Sequence, residues 1–126
     1  MAAPGMVPRR ILVVDDDPLV ADSIRRMLMF DGHQVELALS SEEALGVFSK
    51  HSFDIAFVDF EMPGMKGDQL AAAMKAVAPA RPVVMFTGYV EAIRQKLGAS
   101  GAVDVLLGKP FDLEELRRTL VRLLPG

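Results

Sequence analysis

The chain contains no cysteine, which removes disulfides, thiol nucleophiles and thiolate metal sites together and fits a reducing compartment. It has two histidines, His33 and His51, too few for a His-rich zinc site. Long apolar runs are also missing. The longest, such as Ile11-Leu12-Val13-Val14, reach four or five residues, against the roughly 20 that a membrane helix needs. The N-terminal MAAPGMVPRR has no apolar stretch ahead of its charges and does not read as a secretory signal. There is no excess of positive charge. Fourteen Lys and Arg against seventeen Asp and Glu leave a net charge of −3, which argues against nucleic-acid binding through a general basic field. These absences point to a cytoplasmic protein with no membrane span and no direct nucleic-acid contact.

What is present suits one domain with a real core: 126 residues, 51% of them apolar and 25% charged. Short β-rich apolar runs at 10–14, 34–38, 55–58, 83–86 and 103–107 alternate with stretches of helical period at 18–30, 41–50, 68–78, 90–97 and from 112 onward. Helix-start signals support the second kind of segment: Asp17 before Pro18, Ser40 with Glu43, and Asp112 with Glu115. Gly32 can close the first helix. This alternation predicts an α/β fold, an open, doubly wound five-stranded parallel sheet with five helices. Four of the runs are almost continuously apolar, as parallel strands buried on both faces are, whereas Gln34-Val35-Glu36-Leu37 alternates and belongs at an edge. Residues 1–8 read as a flexible lead-in, 9–124 as the domain, and 125–126 as the C-terminal end.

In such a sheet, ligands bind beyond the carboxyl ends of the strands. The first strand there ends in Asp15-Asp16-Asp17 and the third in Asp59, the fourth in Thr87-Gly88, and the fifth leads into Lys109-Pro110. Taken singly, each has an ordinary role as a cap, a strand end or a solvated cation. Brought to one edge, three carboxylates need a compensating cation, and a hard, oxygen-preferring Mg2+ suits them. One ammonium and one hydroxyl complete a set able to handle a phosphoryl group, with a carboxylate as nucleophile.

ILVVDDDP, VDFEMPGMKG, FTG and LLGKPF occur in that order, with 43 residues from Asp16 to Asp59, 28 on to Thr87 and 22 on to Lys109. With these motifs the chain resembles the receiver domains of two-component response regulators, from Ile11 to about Leu124. The resemblance implies a flavodoxin-like strand order 2-1-3-4-5 and a phosphorylated Asp59. It implies Mg2+ held by Asp15, Asp16, Asp59 and the backbone carbonyl of Glu61, with Thr87 and Lys109 binding the new phosphoryl oxygens. It also implies a cis Lys109-Pro110 bond. Asp17, ahead of Pro18, reads as a helix cap and not a ligand. The implied donor is a phosphohistidine on a sensor histidine kinase or phosphotransfer protein. The implied output is a downstream protein or domain docking on the face of the fourth helix, fifth strand and fifth helix.

One position departs from the family pattern. Three residues before the lysine, where a rotating Tyr or Phe is common, stands Leu106, which predicts a weaker or differently coupled output switch. Glu61 and Tyr89 flank the route of a hydrolytic water, and their charge and bulk predict a slowly hydrolysing phosphoaspartate. His33 and His51 are expected to be solvated, and Arg117, Arg118 and Arg122 form a basic stripe on the last helix. A haloacid-dehalogenase-type phosphatase would need Asp in place of Glu61 and room for a cap domain. An FMN-binding module would not place three aspartates after its first strand, and an unphosphorylated scaffold has only Leu106 in its favour. The chain ends at Leu124-Pro125-Gly126 just after the last helix, as a single-domain regulator or a piece of a longer protein would.

Overall fold

The computed structural model describes residues 7–98 and 101–125. Most of the expected lead-in, and Gly126, lie outside the described residues. Elements alternate strictly: β1 (Arg10–Val14), α1 (Pro18–Phe30), β2 (Gln34–Ala38), α2 (Ser41–Lys50), β3 (Ile55–Asp59), α3 (Gly67–Val77), β4 (Val83–Thr87), α4 (Val90–Leu97), β5 (Val105–Gly108) and α5 (Leu113–Leu123). All strand pairs are parallel and the order is β2-β1-β3-β4-β5, as expected. Among the described residues no helix is long and apolar enough to cross a membrane.

The period-2 alternation of the central strands sorts their side chains onto two faces. Leu12, Val14, Ala56 and Val58 pack with Phe48, Leu70 and Met74 on the α2–α3 side. Ile11, Val13, Ile55 and Phe57 pack with Ile24, Leu28, Leu116 and Leu120 on the α1–α5 side. Each fully buried Leu, Ile or Phe contributes about 1.5–3 kcal/mol of transfer free energy, which anchors the strand ends rigidly. Helix ends are satisfied locally. The Asp17 side chain accepts from the Leu19 amide at 2.9 Å, and Ser40 accepts from Glu43 at 3.0 Å. Asp112 and Glu115 exchange both bonds of a capping box. Gly32 follows α1 with φ 89°, the left-handed position where glycine carries no Cβ penalty.

Four expectations need correction. The fifth strand begins at Val105 and not at 103, because Asp104 is engaged before the ladder starts. Its carboxylate accepts from the Val83 amide at 2.7 Å and pairs with Lys75 at 2.8 Å. The strand is also half-buried and not covered on both sides, as an edge position requires. His33 is buried, not solvated, and its Nδ1 accepts from the Arg9 amide at 3.0 Å. Burial holds its imidazole below the usual histidine range.

Arg117, finally, is not part of a free basic stripe. Its guanidinium donates to both oxygens of Asp31 at 2.6 and 2.7 Å, and Asp31 is 1% exposed. This fork ties α5 to the turn after α1 and holds the Asp31 carboxyl below the ordinary carboxylate range. Removing one partner of a buried pair strands the other charge. Arg117→Ala is therefore expected to lower unfolding stability, by on the order of 3 kcal/mol for the stranded Asp31 carboxylate. The Arg118→Ala control, at an exposed position, is expected to change it little. Urea titrations of the two variants check this.

Candidate functional site

Strand order decides which chain segments meet. With β1 flanked by β3, and β3 by β4, the loops leaving the carboxyl ends of three neighbouring strands open onto one edge, and the β5–α5 turn closes it. Asp15 and Asp59 lie there buried at 1% and 2% exposure, while Asp16 beside them is open to solvent. One oxygen from each of Asp15, Asp16 and Asp59 falls within 4.8 Å of the others. The Lys109 ammonium sits 3.2 Å from Asp59 Oδ1 and 3.8 Å from Asp15 Oδ2, and rests over the Phe86 ring. Lys109-Pro110 is cis.

The two buried carboxylates are oriented by backbone. Asp15 Oδ1 accepts from the Asp17 amide at 2.9 Å, and Asp59 Oδ1 from the Glu61 amide at 3.3 Å. Asp15 Oδ2 is buried with no hydrogen bond, an orphan that a cation would satisfy. The electrostatics agree. Burial first, and then the charge of Asp15, push the Asp59 carboxyl up to about 6, with Lys109 opposing. Burial likewise raises Asp15. Two desolvated acids, a solvated third and one lysine make a donor set of oxygens suited to Mg2+. The residues present fit that ion.

Thr87 is fully buried at the end of β4. Its Oγ1 accepts from the Tyr89 amide at 3.1 Å, and its carbonyl accepts from the Lys109 amide at 2.8 Å, tying β4 to the β5–α5 turn. The Glu61 side chain, expected beside the route of a hydrolytic water, has partners that the sequence did not announce. It reaches across the mouth of the site, where its Oε1 accepts from the Thr87 hydroxyl at 2.8 Å and from the Gly88 amide at 3.2 Å. The clue available was register. Asp59 lies opposite Phe86 in the β3–β4 ladder, so the residues just past Asp59 face those just past Phe86. Leu106 lies away from the acids, packed with Phe60, Met85 and Ile93 under α4.

A family model described as "Response regulator receiver domain" matches residues 11–121. The chain belongs to the response regulator receiver family. Response regulator MprA of Mycobacterium sp. (strain KMS) is 36% identical over 118 residues, 94% of this chain and 51% of that protein. The receiver domain thus spans about half the length of the curated relatives it matches. Among solved structures, response regulator TrrA of Thermotoga maritima, in complex with Mg2+ and BeF, is 30% identical with a TM-score of 0.83, covering 92% of this chain and 99% of that one. Chemotaxis protein CheY4 of Vibrio cholerae is 31% identical with a TM-score of 0.84, covering 94% and 100%. Receivers are signalling phosphoacceptors and not classical enzymes, so the phosphatase and flavin-module alternatives fall away.

Lys109, Pro110 and Phe111 also line one wall of an apolar groove of about 540 Å3, whose other wall is Leu19, Val20, Ile24 and Met27 of α1. Leu19 is 82% exposed on its rim.

Proposed function

We propose that Asp59 accepts a phosphoryl group from a phosphohistidine of a sensor histidine kinase or phosphotransfer protein. A carboxylate oxygen of Asp59 forms the new P–O bond, the P–N bond breaks, and the imidazole leaves with a proton. The observation that carries this reading is Asp59 itself. It is buried, faces Lys109 at 3.2 Å, and shares its edge with two further carboxylates in ion-binding range.

Asp15, Asp16 and Asp59, with the carbonyl of Glu61, would hold Mg2+. The bound ion would supply charge neutralisation for an anionic donor approaching an acidic edge. Asp15 is held for its share of that task by the Asp17 amide. The Lys109 ammonium compensates Asp59 before transfer and faces the phosphoryl oxygens after it. The Thr87 hydroxyl is the hydrogen-bond donor for those oxygens from the β4 side. The donor histidine has to arrive over the open edge, because the sheet and helices bury Asp59 elsewhere, and the apolar groove beside Lys109 is surface it would meet there.

Readout runs through the β4–α4 connection. Phosphorylation adds close to two negative charges next to Thr87, and Val90 of α4 packs so tightly on Gly108 that a Cβ there would lie 2.7 Å from Val90 Cγ2. Movement at the start of α4 is therefore felt at β5. Leu106 joins that route as packing, with no ring to rotate, so the face of α4, β5 and α5 presented to a downstream partner responds by repacking. Incubation with acetyl phosphate and Mg2+, followed by intact mass, tests the reading. The expected result is a gain of one phosphoryl unit in Mg2+ and none when EDTA is present from the start; no gain in Mg2+ would overturn it.

A further inference from the structure

Thr87 owns one hydroxyl hydrogen, and in this structure it is already committed: Oγ1 donates to Glu61 Oε1 at 2.8 Å while accepting from the Tyr89 amide. The Gly88 amide donates to the same Glu61 oxygen at 3.2 Å. Two neighbouring donors at the end of β4 thus hold an internal carboxylate. The other oxygen, Oε2, is buried with no hydrogen bond, so Glu61 is placed at a cost and is not simply parked in solvent.

We propose that Glu61 is a built-in competitor of the phosphoryl group: its carboxylate occupies Thr87 and Gly88 in the unmodified protein and must be expelled before Thr87 can turn to the phosphoryl oxygens. The inference rests on the phosphoacceptor reading. The exchange is one anion for another on the same hydroxyl. It is exclusive, because the hydroxyl cannot donate twice and because a dianion beside the Glu61 carboxylate is repelled by it. Glu61 thereby acts as a positioning residue. It keeps the β4–α4 loop in its resting conformation, and its release is the event that phosphorylation produces. In the unmodified protein its side chain guards Thr87 against the phosphoryl group.

The test uses Glu61→Ala, Thr87→Val and the double variant, with Glu61→Gln as a second substitution that keeps shape and an acceptor oxygen but loses the charge. Two measurements separate this inference from the reading beneath it. In protein without metal or phosphodonor, amide exchange at Gly88 is expected to speed up in Glu61→Ala, which reports the contact alone. With Mg2+, beryllofluoride, a phosphoryl mimic, is expected to bind Glu61→Ala roughly tenfold more tightly than the parent, the order set by one hydrogen bond to a charged group. Glu61→Gln is expected to fall between them. The gain is expected to vanish in the Thr87→Val background. A gain of equal size in that background reduces Glu61 to a plain repelling charge and overturns the inference, as do unchanged affinity or unchanged Gly88 exchange. If Gly88 responds but neither parent nor variant binds beryllofluoride, the phosphoacceptor reading has failed and the proposed exchange fails with it.

Discussion

Asp59→Asn is expected to take up no phosphoryl group from acetyl phosphate and Mg2+, and at neutral pH to be more stable than the parent. The first half follows from loss of the nucleophile. The second follows from the surroundings of Asp59, buried beside Asp15 with its carboxyl pushed up to about 6. An acid whose folded-state value exceeds its unfolded value of 3.8 binds more protons in the native state. Its penalty is absent below about pH 4, grows between about 4 and 6, and is complete above. Converted at 1.36 kcal/mol per pH unit, the upper bound is about 3 kcal/mol, and with partial solvent screening we expect about 1–2. The gain of the variant over the parent should therefore shrink to nothing as pH falls to 4. Added Mg2+ should stabilise the parent more than the variant. Urea titrations at pH 4.5 and 7.5, with and without Mg2+, check all of this. Equal stability of the two proteins at pH 7.5 without metal would show that the carboxylate is not strained in its site.

Gly67→Ala is expected to damage the same site from behind. A Cβ at this first position of α3 would lie 2.6 Å from the Asp59 carbonyl oxygen and 2.8 Å from the Phe60 Cα. Both are backbone atoms of the segment that aims Asp59, so neither can rotate away. Relief requires that α3 back off, opening the core around Leu70 and Met74, or that the end of β3 shift and carry Asp59 from Lys109. We expect a loss of about 1–3 kcal/mol, typical of overpacking, and phosphorylation slowed at least tenfold, since an ångström of misplacement costs that much or more. Gly46→Ala is the control. Its Cβ would meet nothing within 4 Å, and Gly46 lies inside α2, so alanine there should stabilise by about 0.5–1 kcal/mol. Wild-type phosphorylation rates in Gly67→Ala would mean that the α3 start yields without disturbing β3.

Much of this was legible in the chain alone, for identifiable reasons. Apolar runs such as Ile11-Leu12-Val13-Val14 can satisfy their side chains only between two covered faces, and helices such as α5 announce themselves by cap and period. Those local rules specify an α/β sheet, and the rule that crossovers are right-handed leaves few topologies. Asp15, Asp16, Asp59, Thr87 and Lys109 could be expected at one sheet edge because each stands at or within two residues of the end of an apolar run.

What local rules do not contain is which side chain answers which across the fold. His33 looked like a loop histidine until the Arg9 amide and the turn after α1 closed over it. Arg117 looked like one of three surface cations until α5 docked beside α1 and set it against Asp31, 86 positions away. Glu61 was read for its backbone carbonyl and for a charge beside the hydrolytic route, whereas its side chain found Thr87, 26 positions on. Hydrophobic periodicity states how often a residue must turn inward, and it is blind to the partner of a polar group. A hydrogen bond depends on distance and angle between two atoms, and those exist only once the sheet has set β3 against β4 and α1 against α5.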